Sequence, residues 1–138
     1  MFDGLTSQTS GAPEAAPSQA CVLLVEDDRS LRRYLEVTLE RAGYRVMTAA
    51  DGIEAVQIAH ASQIDIVVTD AIMPQLSGQQ LASMLRGNAR FAQVPIVLLT
   101  GQENKDAVSA TASIDAFLYK PIRADELKNC LARLLNKS

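Results

Sequence analysis

"VVTDAIMP", residues 67–74, runs from three β-branched residues directly into an aspartate, Asp70. β-branched residues favour strands, and an apolar run without alternation is typical of a strand that is covered on both faces. A carboxylate at the end of such a strand would lie at the edge of a buried sheet. The function of the chain therefore depends on which other side chains meet Asp70 at that edge.

Strand-like and helix-like segments alternate around this stretch. Continuous apolar runs of four to seven residues predict strands, and apolar residues at helical spacing between them predict helices. Alternation of this kind predicts an α/β domain, a parallel sheet with helices on both faces. The predicted strands are 21–25, 44–49, 65–69, 94–100 and 116–119, and the predicted helices are 30–43, 51–61, 77–88, 103–112 and 124–137.

The apolar pattern also predicts which strands are central. Residues 21–25, 65–69 and 96–100 are nearly continuous apolar runs and should lie inside the sheet, whereas the more mixed 45–49 should lie at an edge. In a doubly wound sheet, ligands bind outside the carboxyl ends of the strands. The predicted inward residues of the second and third helices include Ile53, Val56, Ala59, Leu81, Met84 and Leu85.

Polar residues follow the central strands and the fifth strand at their carboxyl ends, so they should converge although they are far apart in sequence. Two carboxylates about 4 Å apart repel by roughly 4 kcal/mol at an effective dielectric of about 20. One lysine cannot balance three acids, and a hard divalent cation, Mg²⁺ or alternatively Mn²⁺, is the natural complement. The converging residues are Glu26, Asp27, Asp28, Asp70, Thr100 and Lys120.

A carboxylate beside a metal ion, a lysine and a hydroxyl can accept a phosphoryl group. The carboxylate is the nucleophile, and an aspartyl phosphate is the product. The metal and Lys120 would neutralise the phosphoryl oxygens, and Thr100 could donate its hydroxyl to one of them. Asp70 is the best nucleophile, because it stands alone at a central strand end while Glu26 and Asp27 form a pair suited to the metal.

Composition limits the alternatives. The 138 residues suit one domain, and residues 1–19, rich in Ser, Gly, Ala, Pro and Gln, predict a flexible tail or linker before a domain at 20–138. A net charge of −3 with scattered cations argues against direct nucleic-acid binding. There is no membrane-spanning run and no signal-peptide pattern. Cys21 and Cys130 are expected to be reduced core residues, and the expected compartment is the cytoplasm.

The motifs resemble those of response-regulator receiver domains of bacterial two-component signalling. They are "VEDD" (25–28), "DAIMPQLSG" (70–78), "LLTG" (98–101) and "FLYKPI" (117–122). The resemblance covers 21 to about 136, and four motifs in the right order make it specific. It implies a (βα)5 flavodoxin-like sheet of order 2-1-3-4-5, an order that comes with the resemblance and not from the apolar pattern.

The resemblance assigns roles to the matching positions. Asp70 corresponds to the phospho-accepting aspartate, and Lys120 corresponds to the phosphate-binding lysine. Asp27 corresponds to the direct metal ligand and Glu26 to the acid that binds metal through water. The backbone carbonyl of Ile72 corresponds to the third protein ligand of the metal.

The same resemblance implies a switch. Thr100 corresponds to the switch hydroxyl, and Phe117 corresponds to the aromatic ring that turns inward when the threonine moves. The Lys120–Pro121 peptide bond should be cis. Ile72 and Gln102 occupy the positions that set the phosphoryl lifetime, and the apolar Ile72 predicts slow autodephosphorylation.

A phosphoacceptor needs a donor, and the only histidine, His60, lies on a predicted helix among small residues and is expected at the surface. The donor should therefore be a phosphohistidine on a histidine kinase or a histidine phosphotransfer protein, and the downstream partner is unknown. The resemblance implies that the chain is not an enzyme beyond its own phosphorylation and dephosphorylation. Candidate docking residues are Leu31, Tyr34, Pro121 and Ile122.

Four alternatives stay open. The chain could be a stand-alone regulator or the receiver of a larger protein such as a hybrid histidine kinase. It could be a phosphorylation-independent interaction module with the same fold. A haloacid dehalogenase-type hydrolase would need an acid where Ile72 stands, and a flavin-binding protein would need a Ser/Thr/Gly loop after the first strand, where this chain has acids.

Overall fold

The computed structural model describes residues 20–101 and 113–136. The strands are β1 (Cys21–Val25), β2 (Arg45–Ala49), β3 (Ile66–Asp70), β4 (Ile96–Thr100) and β5 (Ala116–Tyr119). The helices are α1 (Arg29–Arg41), α2 (Gly52–Ala61), α3 (Gly78–Arg86) and α4 (Ala124–Asn136), with a short 3-10 turn at Ala89–Phe91. The predicted helix at 103–112, the predicted tail at 1–19 and Gln102 lie outside the described residues.

The strands form one parallel sheet in the order β2-β1-β3-β4-β5, which confirms the expected order 2-1-3-4-5. Every residue of β1, β3 and β4 is buried, whereas β2 and β5 are largely half-buried. The nearly continuous apolar runs are therefore the central strands, and the mixed run at 45–49 is an edge, as predicted. The predicted strand at 65–69 begins and ends one residue later.

That one-residue difference has a physical reason. Asp65 does not continue the strand, because its carboxylate accepts a hydrogen bond of 2.7 Å from the backbone N–H of Cys21 at the start of β1. Asp70, in contrast, closes β3 and pairs with Leu99 of β4. Asp70, the nucleophile predicted from the sequence, is thus the last residue of a central strand, and its position is fixed by the sheet.

Hydrophobic cores lie on both faces of the sheet. Alternate residues of β1 point to opposite faces, so that Leu23 packs with α2 and α3 while Leu24 packs with α1 and α4. Cys21 and Cys130 are both buried and unpaired, one in each core, which confirms the expectation of unpaired core cysteines. No helix in the described part of the chain combines the length and apolarity needed to cross a membrane.

Two predicted core residues are exposed instead. Ile53 is 52% exposed and Met84 is 51% exposed, so their predicted inward orientation is wrong. Helix α2 lies close to the loop after β3: a Cβ added to Gly52 would stand 2.6 Å from Leu76 Cδ2. Small residues therefore face the core there, and bulky neighbours face outward. The buried residues are Gly52, Ala55 and Ala59 of α2 and Gly78, Leu81, Ala82 and Leu85 of α3.

Polar side chains cap the starts of α1 and α3. The carboxylate of Asp28 accepts from the N–H of Leu31 at 3.1 Å and caps α1. Ser77 and Gln80 form a reciprocal capping box at the start of α3. Gly43, with φ 102°, follows α1 in a conformation that favours glycine, so the chain can turn into β2.

Candidate functional site

The carboxyl edge of the sheet gathers the predicted site residues. Glu26 and Asp27 follow β1, Asp70 ends β3, Thr100 ends β4 and Lys120 follows β5. Parallel strands deliver their last residues to the same edge, so residues from separate segments meet at a switch point between β1 and β3. The structure brings the acids and Lys120 together as the topology predicts.

The three acids form one cluster. Single carboxylate oxygens of Glu26, Asp27 and Asp70 all lie within 4.8 Å of one another. Glu26 is fully buried and Asp70 is 5% exposed, whereas Asp27 is exposed. The cluster is therefore a pit with two acids at its base and one at its rim.

Lys120 bridges the two buried acids. Its Nζ lies 2.9 Å from Oδ1 of Asp70 and 3.7 Å from Oε1 of Glu26. Its backbone N–H donates to the carbonyl of Thr100 at 2.7 Å, which fixes the lysine to the end of β4. The Lys120–Pro121 peptide bond is cis, as the resemblance implies.

Burial and mutual charge perturb the ionisation of this site. The pKa of Glu26 is raised to about 7, chiefly by burial; the hydrogen bond from Asp28 opposes this rise, and the charge of the neighbouring Asp70 contributes to it. Burial also raises the pKa of Asp70, although Lys120 opposes this. For Lys120, burial alone would lower the pKa, but the hydrogen bond to Asp70 and the charges of the acids raise it overall. The lysine therefore stays charged, and its single positive charge does not balance the three acids.

The donor set fits a hard cation. Oε2 of Glu26 accepts from the N–H of Asp28 at 3.0 Å, but Oε1 is buried without a hydrogen-bond partner and has only the distant Lys120. A buried carboxylate oxygen without a partner is costly. Three carboxylates around one open position are the oxygen ligands that Mg²⁺ binds in proteins.

Arg32 supports the site through a contact that no sequence pattern indicates. Its guanidinium donates to the backbone carbonyl of Glu26 at 2.8 Å, and the N–H of Glu26 donates to the carbonyl of Ala49 at 3.1 Å. These two bonds hold the turn between β1 and α1. No spacing rule connects an arginine with a carbonyl six residues earlier, so only the folded chain reveals this contact.

Gly78 packs directly against the backbone of Asp70. A Cβ at this position would stand 2.2 Å from the backbone oxygen of Asp70 and 2.8 Å from Leu98 Cδ1. The N–H of Gly78 also donates to the carbonyl of Ala71 at 2.9 Å. Gly78 belongs to the quoted motif at 70–78, but its packing role was not foreseen.

The predicted switch residues are both placed near the site. Thr100 is fully buried, and its hydroxyl donates to the carbonyl of Gly101 at 3.3 Å, a long and weak hydrogen bond. Phe117 is half-buried and packs with Ala71 and Leu98. Leu98 pairs with Phe117 between β4 and β5, two residues before Thr100.

The candidate docking residues differ in exposure. Tyr34 is 46% exposed and Pro121 is exposed, so both can contact a partner. Leu31 is half-buried against the core, and Ile122 is 7% exposed within the core that includes α1 and α4, which leaves little of its side chain for a partner. The side chain of Ile72, two residues past Asp70, is 60% exposed.

His60 is exposed on α2, as predicted. Its Nδ1 pairs with the carbonyl of Val56 at 2.9 Å, and its ring meets Phe91 edge-on. Arg90 stacks on the same Phe91 ring and donates to the carbonyl of His60 at 2.7 Å. These contacts give His60 a structural role at the end of α2.

Known proteins share this architecture. The family model of the response regulator receiver domain matches residues 22–132. The hybrid signal transduction histidine kinase D of Dictyostelium discoideum is 34% identical over 117 residues, which cover 83% of this chain and 7% of that protein. The chain spans less than half of the length of this and other curated relatives that it matches.

Solved structures agree at the level of the whole domain. The receiver domain of a sensor histidine kinase of Pseudomonas aeruginosa, described with a magnesium ion in its active-site cleft, matches with a TM-score of 0.79 at 30% identity, covering 86% of this chain and 99% of that one. The response regulator TrrA of Thermotoga maritima, in complex with Mg²⁺ and BeF, matches with a TM-score of 0.77 at 30% identity, covering 85% and 100%. The chain belongs to the response regulator receiver domain family of two-component signal transduction.

Proposed function

We propose that Asp70 accepts a phosphoryl group from a phosphohistidine on a histidine kinase or a histidine phosphotransfer protein, in a reaction that needs Mg²⁺. The observation that carries this proposal is the cluster of three acids around the Lys120 ammonium, which lies 2.9 Å from Oδ1 of Asp70. A nucleophile, a lysine ammonium and carboxylate oxygens suited to a metal ion lie together at the carboxyl edge of the sheet.

The proposed reaction is one displacement at phosphorus. An oxygen of Asp70 attacks the phosphorus, the P–N bond breaks, and its electron pair returns to the donor imidazole. The product is an acyl phosphate on Asp70. Because Lys120 stays charged beside Asp70, its ammonium can hold a phosphoryl oxygen through the reaction.

Asp27, Asp70, the carbonyl of Ile72 and, through water, Glu26 would hold the metal, and Mn²⁺ could replace Mg²⁺. When bound, the ion supplies positive charge that neutralises the phosphoryl oxygens. Glu26 serves this role because its Oε1 is buried and lacks a hydrogen-bond partner. Asp27 serves it because its exposed carboxylate stands at the mouth of the pit.

Phosphorylation would then operate the switch. The new group carries a charge of about −2, and it offers the Thr100 hydroxyl a better acceptor than the 3.3 Å contact with Gly101. Movement of Thr100 would open space for Phe117, and the surface around β5 would change. This shifts a two-state equilibrium that an unidentified downstream protein would sense.

Intact-protein mass spectrometry after incubation with acetyl phosphate tests the proposal. In this assay the P–O bond to acetate breaks and the phosphoryl group passes to the protein. We expect one phosphoryl adduct on the native chain in the presence of Mg²⁺, and no adduct with EDTA or in Asp70→Asn. The asparagine variant keeps the size of the side chain but removes the nucleophile.

The possible failures have different meanings. An adduct that persists in Asp70→Asn would place the phosphoryl group elsewhere and refute the assignment. Absence of an adduct together with absence of Mg²⁺ binding would favour the alternative, an interaction module that keeps the fold without phosphorylation. Absence of an adduct in a chain that binds Mg²⁺ would exclude small donors and require the partner protein.

Ile72→Asn is expected to shorten the lifetime of the phosphorylated protein several-fold. The Ile72 side chain is 60% exposed two residues past Asp70 and has no group that could orient an attacking water, whereas an amide could hold one. The decay of the adduct is followed by mass spectrometry after the donor is removed. Ile53→Asn, which changes an isoleucine of similar exposure on α2, is the control. An unchanged half-life of the phosphorylated Ile72→Asn variant would refute the hypothesis that the apolar Ile72 makes autodephosphorylation slow.

The setting of the domain is also a proposal. A hybrid histidine kinase and the receiver domain of a sensor histidine kinase are among the proteins that resemble this chain, so a receiver within a larger kinase is supported alongside a stand-alone regulator. Cytoplasmic location and the absence of enzymatic turnover beyond self-phosphorylation remain predictions from the sequence. The boundary at residue 20 is likewise a prediction.

A further inference from the structure

A second charged surface lies beside the acidic pit. Arg29, Arg32 and Arg33 of α1 have the spacing i, i+3 and i+4, which puts them on one side of the helix, here named the arginine face. Together with Glu36 and Thr48 they line a polar cleft of about 390 Å³ between α1 and β2. This side of the helix is distinct from the one that carries Tyr34, which lies within electrostatic range of Arg123.

Arg32 has a structural role through its hydrogen bond to the Glu26 carbonyl, but local stability explains Arg29 and Arg33 poorly. The first turn of a helix carries the positive end of its dipole, where acids stabilise and cations do not. Yet α1 has no acid in its first turn and begins with Arg29. Within the described part of the chain, the Arg29 side chain has no ion-pair or hydrogen-bond partner. The Arg33 side chain is 70% exposed, and its pair with Glu36 at 3.2 Å is open to solvent.

The arginine face is attached to the phosphoacceptor site. Arg32 donates to the carbonyl of Glu26, so the face begins where the acidic pit ends. A protein that brings a group to Asp70 can therefore contact the arginine face as well. A nucleic acid would meet Glu26, Asp27 and Asp70 at the same edge and be repelled. A protein with acidic side chains near its own reactive group would place those side chains beside the arginines, and the opposite charges would attract.

We propose that the arginine face docks acidic side chains that flank the phosphohistidine of the donor protein. This inference rests on the proposed phosphoacceptor function and specifies the surface chemistry of the partner. Attraction between an acidic donor surface and this face would accelerate encounter and fix the orientation in which the histidine faces Asp70.

The experiment compares two donors on one set of variants. One donor is acetyl phosphate, which has no protein surface. The other is a purified, phosphorylated histidine phosphotransfer domain with acidic residues around its histidine, used together with a version in which those acids are changed to amides. The receiver variants are native, Arg29→Gln with Arg33→Gln, and the control Arg41→Gln with Arg45→Gln. The control removes the same charge from two exposed residues, the last of α1 and the first of β2. Arg32 is left intact because it holds the carbonyl of Glu26.

We expect the native receiver to accept phosphoryl groups about tenfold faster from the acidic domain than from its amide version at low salt. The double variant at Arg29 and Arg33 should lose that preference, whereas the control should keep it. Transfer from acetyl phosphate should be equal in all three receivers. Binding of the unphosphorylated domains, measured by fluorescence anisotropy, should show the same preference.

Other results would overturn the inference. The docking role fails if the native receiver does not distinguish the acidic domain from its amide version in transfer or binding. It also fails if the double variant retains the preference, or if a DNA duplex of equal charge competes with the acidic domain for the face. Loss of transfer from both acetyl phosphate and the phosphotransfer domain in every receiver would instead refute the phosphoacceptor function, while the binding measurement still decides whether the face prefers acidic proteins.

Discussion

Gly78→Ala is expected to lower the free energy of unfolding by about 3 kcal/mol, because the new methyl group overpacks a filled site. The added Cβ would stand 2.2 Å from the carbonyl oxygen of Asp70, a backbone atom that cannot rotate away. The chain must shift either the start of α3 or the end of β3. Since Asp70 ends β3, we also expect slower phosphorylation by acetyl phosphate.

Gly87→Ala is the matched control for this prediction. Its added Cβ would stand 3.5 Å or more from its nearest neighbours, and its φ of −73° suits alanine. This variant should be neutral or more stable by up to about 1 kcal/mol, since alanine restricts the unfolded chain. Urea denaturation gives both free energies. Equal midpoints for the two variants would show that Gly78 is not held against Asp70.

The fold was predictable because the local signals agree with the topology. Strands covered on both faces are largely apolar, and β1, β3 and β4 carry polar residues only at the carboxyl ends of β3 and β4. The capping pair Ser77 and Gln80 marks the start of α3 for a local chemical reason. The predicted inward orientation of Ile53 and Met84 was wrong because helical spacing identifies an apolar side of a helix but not how closely that helix packs against its neighbours. The packing distance of α2 is set at Gly52, which lies against Leu76, a residue far away in the sequence.

The residues of the candidate site could be predicted from the sequence, but their side-chain burial and partners could not. Parallel strands must end at one edge, so convergence of Asp70 and Lys120 follows from strand order alone. The distance of 3.7 Å between Lys120 Nζ and the unpartnered Oε1 of Glu26 does not follow from strand order, because it depends on how deeply the side chains are buried. The support that Arg32 gives to the Glu26 carbonyl was missed for the same reason. Sequence patterns locate helices and strands, but the side-chain contacts between these elements can be identified only in the folded structure.

Glu26→Gln is expected to stabilise the metal-free protein near neutral pH and to weaken its response to Mg²⁺. Glu26 is fully buried beside Asp70, and burial raises its pKa to about 7, above the value of about 4.3 in an unfolded chain. Between these values the native state binds the proton more tightly than the unfolded state, so the stability of the native chain falls as the pH rises. Glutamine has no charge to bury, and its carbonyl can still accept from the N–H of Asp28.

Thermal unfolding in EDTA should therefore show that the advantage of Glu26→Gln over the native chain grows by about 2 kcal/mol between about pH 5 and about pH 7.5. Added Mg²⁺ should raise the midpoint of the native chain more than that of the variant, because a cation relieves the same buried charge. Glu40→Gln, which removes an exposed acid of α1, should follow the native chain in both respects. If Glu26→Gln were less stable than the native chain at the upper pH without metal, or if Mg²⁺ raised both midpoints equally, Glu26 would be a structural acid satisfied by Lys120 and Asp28. The metal site would then consist of Asp27 and Asp70 without it.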